Sequence, residues 1–149
     1  MKNTQILRLI LGDQLNPQHS WYRQQNDDVV YLIAELHQEA NYVKHHVQKL
    51  CGFFAAMKSF AEQLKAAGHR VEYLTLDDTE KYKDLIDLIV SLCLENDIQQ
   101  FEYQQPDEYR LSQQLQSLVF SNNCQATCCD SEHFILPYEE IETIINTGK

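Results

Sequence analysis

The sequence predicts an α/β fold: a five-stranded parallel sheet with helices on both faces. Three observations carry this. The runs "QILRLIL" (5–11) and "DVVYLIA" (28–34) are almost continuously apolar, as strands covered on both faces must be. The longest amphipathic stretch, beginning near residue 43, repeats its apolar residues at helical spacing. Strand-like and helix-like segments alternate from there to the end, the order that parallel pairing through crossover helices requires.

The elements follow in order. The first strand, 5–11, stops at Gly12, and a polar loop leads to the second at 28–34. Val43, Val47, Leu50, Phe54, Met57, Ala61 and Leu64 then step by four and three residues, which places them on one helix face. "AAGHR" ends that helix, with Gly68 as the residue past its last turn. "RVEYLTL" (70–76) is a third strand with alternating character. "KDLIDLIVSLCLEN" (83–96) is a second helix, and "IQQFEYQ" (98–104) a weaker fourth strand. Asp107 is placed to cap a helix over "EYRLSQQLQSLVF" (108–120). "QATCC" (125–129) is a weaker fifth strand, and "PYEEIETIIN" reads as a short last helix behind Pro137. After a first strand-loop-strand step, right-handed crossovers limit this order to a Rossmann-like three-layer sandwich. The 149 residues suit a single domain, and neither a repeat nor a linker divides them.

Composition excludes several classes of function. A net charge of −10 argues against this chain gripping a nucleic-acid backbone, which takes clustered Lys and Arg. Only short apolar runs occur, too short to span a membrane. The first residues carry one Lys and no small-residue cleavage site, unlike a signal peptide. With five cysteines at no framework spacing, the expectation is a cytoplasmic protein with reduced thiols.

In an open parallel sheet, ligands sit beyond the carboxyl ends of the strands. Those ends fall at Gly12–Leu15, at Glu35, at Asp77–Asp78 and at 106–110. Gly12 allows a sharp turn. Asp13 and Gln14 supply a charged acceptor and an amide, which suit a polyol or a heterocycle edge better than a phosphate. The same residues also fit a plain Asx-type turn, Asp13 and Asn16 closing the chain ahead of Pro17. Only four glycines occur in the chain, and neither G-x-G-x-x-G nor G-x-x-x-x-G-K-[ST] is present, so a dinucleotide or P-loop site is not expected. In "EANYVKHHVQKL" (39–50), Tyr42, His46 and Lys49 share one edge of the helical stripe, near Glu39. They face either a ligand at the strand tips or solvent, as a basic turn paired with Glu35 or Glu39. Cys124, Cys128 and Cys129 precede His133 but lack a C-x-x-C pair; they read as buried thiols, and no metal site is expected.

Taken together, "LILGDQLNPQHSW", "VVYLIAELHQEANYVKHHVQKLCGFFAAMKSFAEQL", "AGHRVEYLTLDD", "QPDEYRL" and "CDSEHFIL" resemble the amino-terminal domain of the photolyase-related proteins. These form the bacterial iron–sulfur (6-4) branch of the cryptochrome/photolyase family. The combination of G-D-Q-L with E-x(6)-Y-V-x-H-H-x(2)-K carries the resemblance, which covers essentially the whole chain. It implies an antenna domain that holds 6,7-dimethyl-8-ribityllumazine and passes excitation energy to FAD. FAD, the iron–sulfur cluster and the DNA-binding surface would belong to a helical domain absent from this chain, and the expectation is a domain cut from a longer light-dependent lyase. By position, Gly12, Asp13, Gln14 and Leu15 would meet the antenna, with Glu35, Tyr42 and His46 completing its pocket and Lys49 and Glu108 nearby. The chain's partners would then be the chromophore and the helical domain, with DNA reached only through the latter. The alternative is an α/β interaction or nucleotide-binding domain without catalytic activity.

Overall fold

The computed structural model describes residues 5–36 and 47–132. Five strands form one sheet: β1 (Ile6–Leu9), β2 (Val29–Ala34), β3 (Arg70–Leu74), β4 (Gln100–Gln104) and β5 (Gln125–Cys129). All four pairings are parallel, in the spatial order β3-β2-β1-β4-β5. The expected α/β sandwich with a five-stranded parallel sheet is thus present. The helices are α1 (Val47–Ala66), α2 (Leu76–Thr79), α3 (Leu85–Glu95) and α4 (Tyr109–Gln116). A 3₁₀ turn, Ser20–Tyr22, lies between β1 and β2.

The pleat of β1 and β2 divides the core in two. Leu7, Leu9, Val30, Leu32 and Ala34 join Phe101 and Tyr103 of β4 on one face, beneath Leu85, Leu88, Ile89, Leu92 and Cys93 of α3 and Leu115 of α4. Ile10, Val29, Tyr31 and Ile33 point the other way, onto Trp21 and onto Met57, Phe60, Ala61 and Leu64 of α1. Every residue of β2 is buried, which is why its run carries no polar alternation. β4 and β5 are different: Gln100, Glu102 and Gln104 alternate with Phe101 and Tyr103, and β5 is almost wholly exposed. Arg8 supplies the polar counterpart on β1. Its Nε donates to Glu102 Oε1 at 2.7 Å and Nη1 to the Tyr31 hydroxyl at 3.1 Å, while its guanidinium lies 5.0 Å from the Trp21 ring centroid.

Helix ends correct several expected boundaries. At the end of α1 the Gly68 amide donates to Lys65 O and the His69 amide to Leu64 O, both at 3.0 Å, the two bonds of a Schellman stop. Gly68 has φ +96°, as expected for this position. The third strand ends at Leu74, two residues early, because Thr75 caps α2 and Asp78 reciprocates. The cap of α4 falls on Glu108 rather than Asp107, and its side chain makes no capping bond. That helix ends at Gln116 rather than residue 120. Leu118 and Phe120 both pack on the core, and side chains two residues apart share a face only in extended chain. The expected last helix behind Pro137 lies outside the described residues. Among the described residues no helix is long and apolar enough to cross a membrane.

Candidate functional site

Because β1 is followed by β2 on one side while β4 lies on its other side, the connections diverge at the carboxyl ends of β1 and β4. Such a switch point opens a crevice in parallel sheets. Here Gln14 spans it. Its backbone amide donates to Leu11 O at 2.9 Å, its Oε1 accepts from Leu11 N at 3.1 Å, and its Nε2 reaches Gln104 O at 3.3 Å and Gln105 O at 3.4 Å. With 1% of its surface exposed, Gln14 is engaged inside the protein and ties the β1 loop to β4. Asp13 is exposed beside it, and Leu15 is half-buried against the α1 side of the core. Asn16 forms the expected Asx turn, its Oδ1 accepting from Gln18 N at 3.0 Å.

Gly12 acts through clearance. A Cβ built there would stand 2.2 Å from Phe53 Cζ, so the missing side chain lets the ring of α1 approach the β1 loop. The neighbouring strand tip is more elaborate. Glu35, half-buried, follows β2, and its amide donates to Leu74 O at 2.8 Å. Its carbonyl accepts from the buried Thr79 hydroxyl at 2.7 Å. Its Oε1 accepts from Leu76 N at 3.2 Å, and its Oε2 from the Tyr73 hydroxyl. That hydroxyl also stands 3.2 Å from Phe54 O of α1. Gly12 and Glu35 therefore both border the Phe53–Phe54 segment of α1.

The remaining expected site residues divide as follows. Glu108 is exposed, in the connection from β4 to α4, where it is the residue before the first turn of that helix. Lys49 lies in the first turn of α1, with its side chain outside the described residues. Tyr42 and His46 lie outside them altogether. Sequence reasoning misses Tyr73, Thr79 and Phe53 as site residues; the one signal available is Tyr73 at an alternating strand position near the tip.

A second polar cluster joins the β1 loop to the end of β5. Buried His19 accepts from Trp21 N through Nδ1 at 3.1 Å, which leaves Nε2 to donate to Asp130 O at 2.8 Å. Glu132 accepts from the Ser20 hydroxyl at 2.5 Å. Burial works to raise the Glu132 carboxyl, but the bond from the Ser20 hydroxyl, with the Ser20 amide beside it, outweighs burial and holds it below the ordinary range. Beneath lie Gln104, fully buried, and the Tyr22 hydroxyl, whose ionisation burial pushes up. An open groove of about 510 Å³ on α4, between Arg110 and Ser117, contains none of these residues. Among the described residues no three His, Cys, Asp or Glu side chains are grouped as a metal site would need.

Residues 8–149 match the family described as deoxyribodipyrimidine photo-lyase-related protein. Over 77 residues the chain is 42% identical to a protein of Agrobacterium fabrum (strain C58) named (6-4) photolyase. The matched stretch is 50% of this chain and 15% of that protein.

Proposed function

Since the chain belongs to the deoxyribodipyrimidine photo-lyase-related protein family, we propose that it is the antenna-chromophore-binding domain of a light-dependent, DNA-repairing flavoprotein. Its ligand is of the ribityllumazine type, held at the carboxyl ends of β1 and β2. The observation that carries this reading is the half-buried Glu35 carboxylate, fixed beside the Phe53–Phe54 segment of α1. A carboxylate with acceptor capacity to spare suits ribityl hydroxyls or ring N–H groups, and aromatic surface beside it suits a planar ring. The ligand chemistry at this site then draws on Asp13 at the β1 tip, on Tyr42 and His46 from the chain preceding α1, and on Lys49 of its first turn. Gln14, whose amide is engaged across the crevice, acts as the frame. Glu108 stands at the rim.

The chain itself performs no bond-breaking step in this reading. It binds and orients the chromophore, which absorbs light and passes the excitation to FAD held by the rest of the protein. The iron–sulfur cluster and the contact with damaged DNA belong there as well, consistent with the net charge of −10 on this chain. The working compartment is the cytoplasm.

The test is an absorption titration of the purified protein with 6,7-dimethyl-8-ribityllumazine. The expected result is saturable binding with a shifted near-ultraviolet to blue band, weakened by Glu35→Gln. Absence of saturation at high micromolar ligand would reject the antenna role.

A further inference from the structure

Glu35 is held at four points, and the side chain that fixes its outer oxygen comes from a different strand. Oε1 is engaged by a backbone amide, Leu76 N, which no side-chain substitution removes. Oε2 is engaged by the Tyr73 hydroxyl, and together with the Leu76 amide this bond sets the rotation of the carboxylate about its last torsion. Terminal carboxylate torsions are broad when nothing fixes them. Each carboxylate oxygen can accept a second hydrogen bond, so with both inner positions filled the outer ones form one fixed pair of adjacent acceptors. Among the described residues, Glu35 has no ion-pair partner within salt-bridge distance. Neighbouring hydroxyls of a polyol, spaced along a short chain, match such a pair; a single ring N–H does not need it.

We propose that Tyr73 is a positioning residue for the strand-tip ligand, holding Glu35 in the orientation that selects a polyol chain. This rests on the reading of the site given above and extends it to a residue that acts through Glu35. Tyr73 is well placed for that role: its ring lies in the α1-side core, and its hydroxyl reaches Phe54 O as well as Glu35. The same contact couples β3, β2 and α1 at the site.

The experiment compares two ligands on the full chain: 6,7-dimethyl-8-ribityllumazine, and 6,7,8-trimethyllumazine, which lacks the polyol. Tyr73→Phe keeps the ring and removes the hydroxyl, and thermal unfolding checks that the variant is folded. The expected result is about tenfold weaker binding of the ribityl ligand, the usual worth of a hydrogen bond to a charged group, with trimethyllumazine affinity unchanged. In a Glu35→Gln background, Tyr73→Phe should have little further effect, since residues acting through one another are not additive. Equal loss for both ligands, or no loss for either, would overturn the positioning role and leave the antenna reading standing. Failure of the unsubstituted protein to bind the ribityl ligand would overturn both.

Discussion

A single missing methyl group decides how closely α1 approaches the sheet at the strand tips. The Phe53 ring occupies the space that a side chain at Gly12 would take, its nearest carbon only 2.2 Å from where a Cβ would sit. Gly12→Ala must therefore push the ring aside. Overfilling of this kind costs about 1–3 kcal/mol, which should appear as a lower urea midpoint and a weaker lumazine titration. Because the obstacle is the far end of a side chain, Phe53→Leu in the same chain should restore most of the midpoint; if it does not, the backbone of the loop is what the methyl disturbs. Sequence alone reads Gly12 as the site of a sharp turn, which the bond from the Gln14 amide to Leu11 O closes. It runs the strand on to residue 11, however, where β1 ends at Leu9, and it gives no sign of the clearance for Phe53. Gln14 is similar. Its position beside a strand tip is legible, whereas its engagement with Gln104 and Gln105 O depends on a strand far along the chain. Glu35 and Tyr73 are visible in the sequence as residues near two strand ends, but which of the two faces of β3 carries the hydroxyl to the carboxylate is settled only by strand register.

At the scale of elements, caps rather than apolar periodicity decide the boundaries near the site. Thr75 and Leu76 continue the alternation of β3 in sequence, yet with Asp77 and Asp78 they fold as a capping box, Thr75 and Asp78 satisfying each other's amides. The S/T-x-x-D/E pattern is the signal that competes with alternation here, and local hydrogen bonding wins because Thr and Asp bind nearby backbone better than they extend a ladder. The Thr75 amide, then its hydroxyl, hold the Asp78 carboxyl below its ordinary value. A group depressed in the folded state contributes stability that is fully present above its unfolded value, about 3.9 for Asp, and is lost as pH falls through the lower folded value. Below about pH 4, α2 should therefore loosen before the sheet does. Since α2 supplies Leu76 N and Thr79 to Glu35, the strand-tip site loosens with it. An NMR titration should show the Thr75 and Leu76 amides shifting together in acid. Asp78→Asn should flatten that titration; an unchanged one would place the acid response elsewhere.

The whole molecule is a doubly wound sheet with buried apolar residues on each face, and its thiols report on how deep in that fold each one lies. The order of elements, the parallel pairing and the α1 stripe are legible because β1, β2 and α1 bury continuous apolar surface, which leaves a plain pattern in the residues. The polar ladder formed by Arg8 with Glu102 is not, because each partner alone looks like an exposed charge. Cysteines fall between these cases. Cys93 of α3 and Cys124 before β5 lie within the α3-side core, while Cys51 and Cys128 are exposed and Cys129 is intermediate. Burial pushes the Cys93, Cys124 and Cys129 thiols up, and the thiolate is the reactive form. Iodoacetamide at neutral pH should accordingly label Cys51 and Cys128 first, Cys129 slowly, and Cys93 and Cys124 only when the core opens. If the fold opens as one unit, labelling of the last two, followed by mass spectrometry across a urea series, should track the loss of circular dichroism. Labelling of Cys93 well below that transition would instead mean that α3 lifts from the sheet by itself. The α1 side, with Phe53 and Glu35 at its edge, would then be the more stable half of the molecule, and the antenna site would survive conditions that open the opposite face.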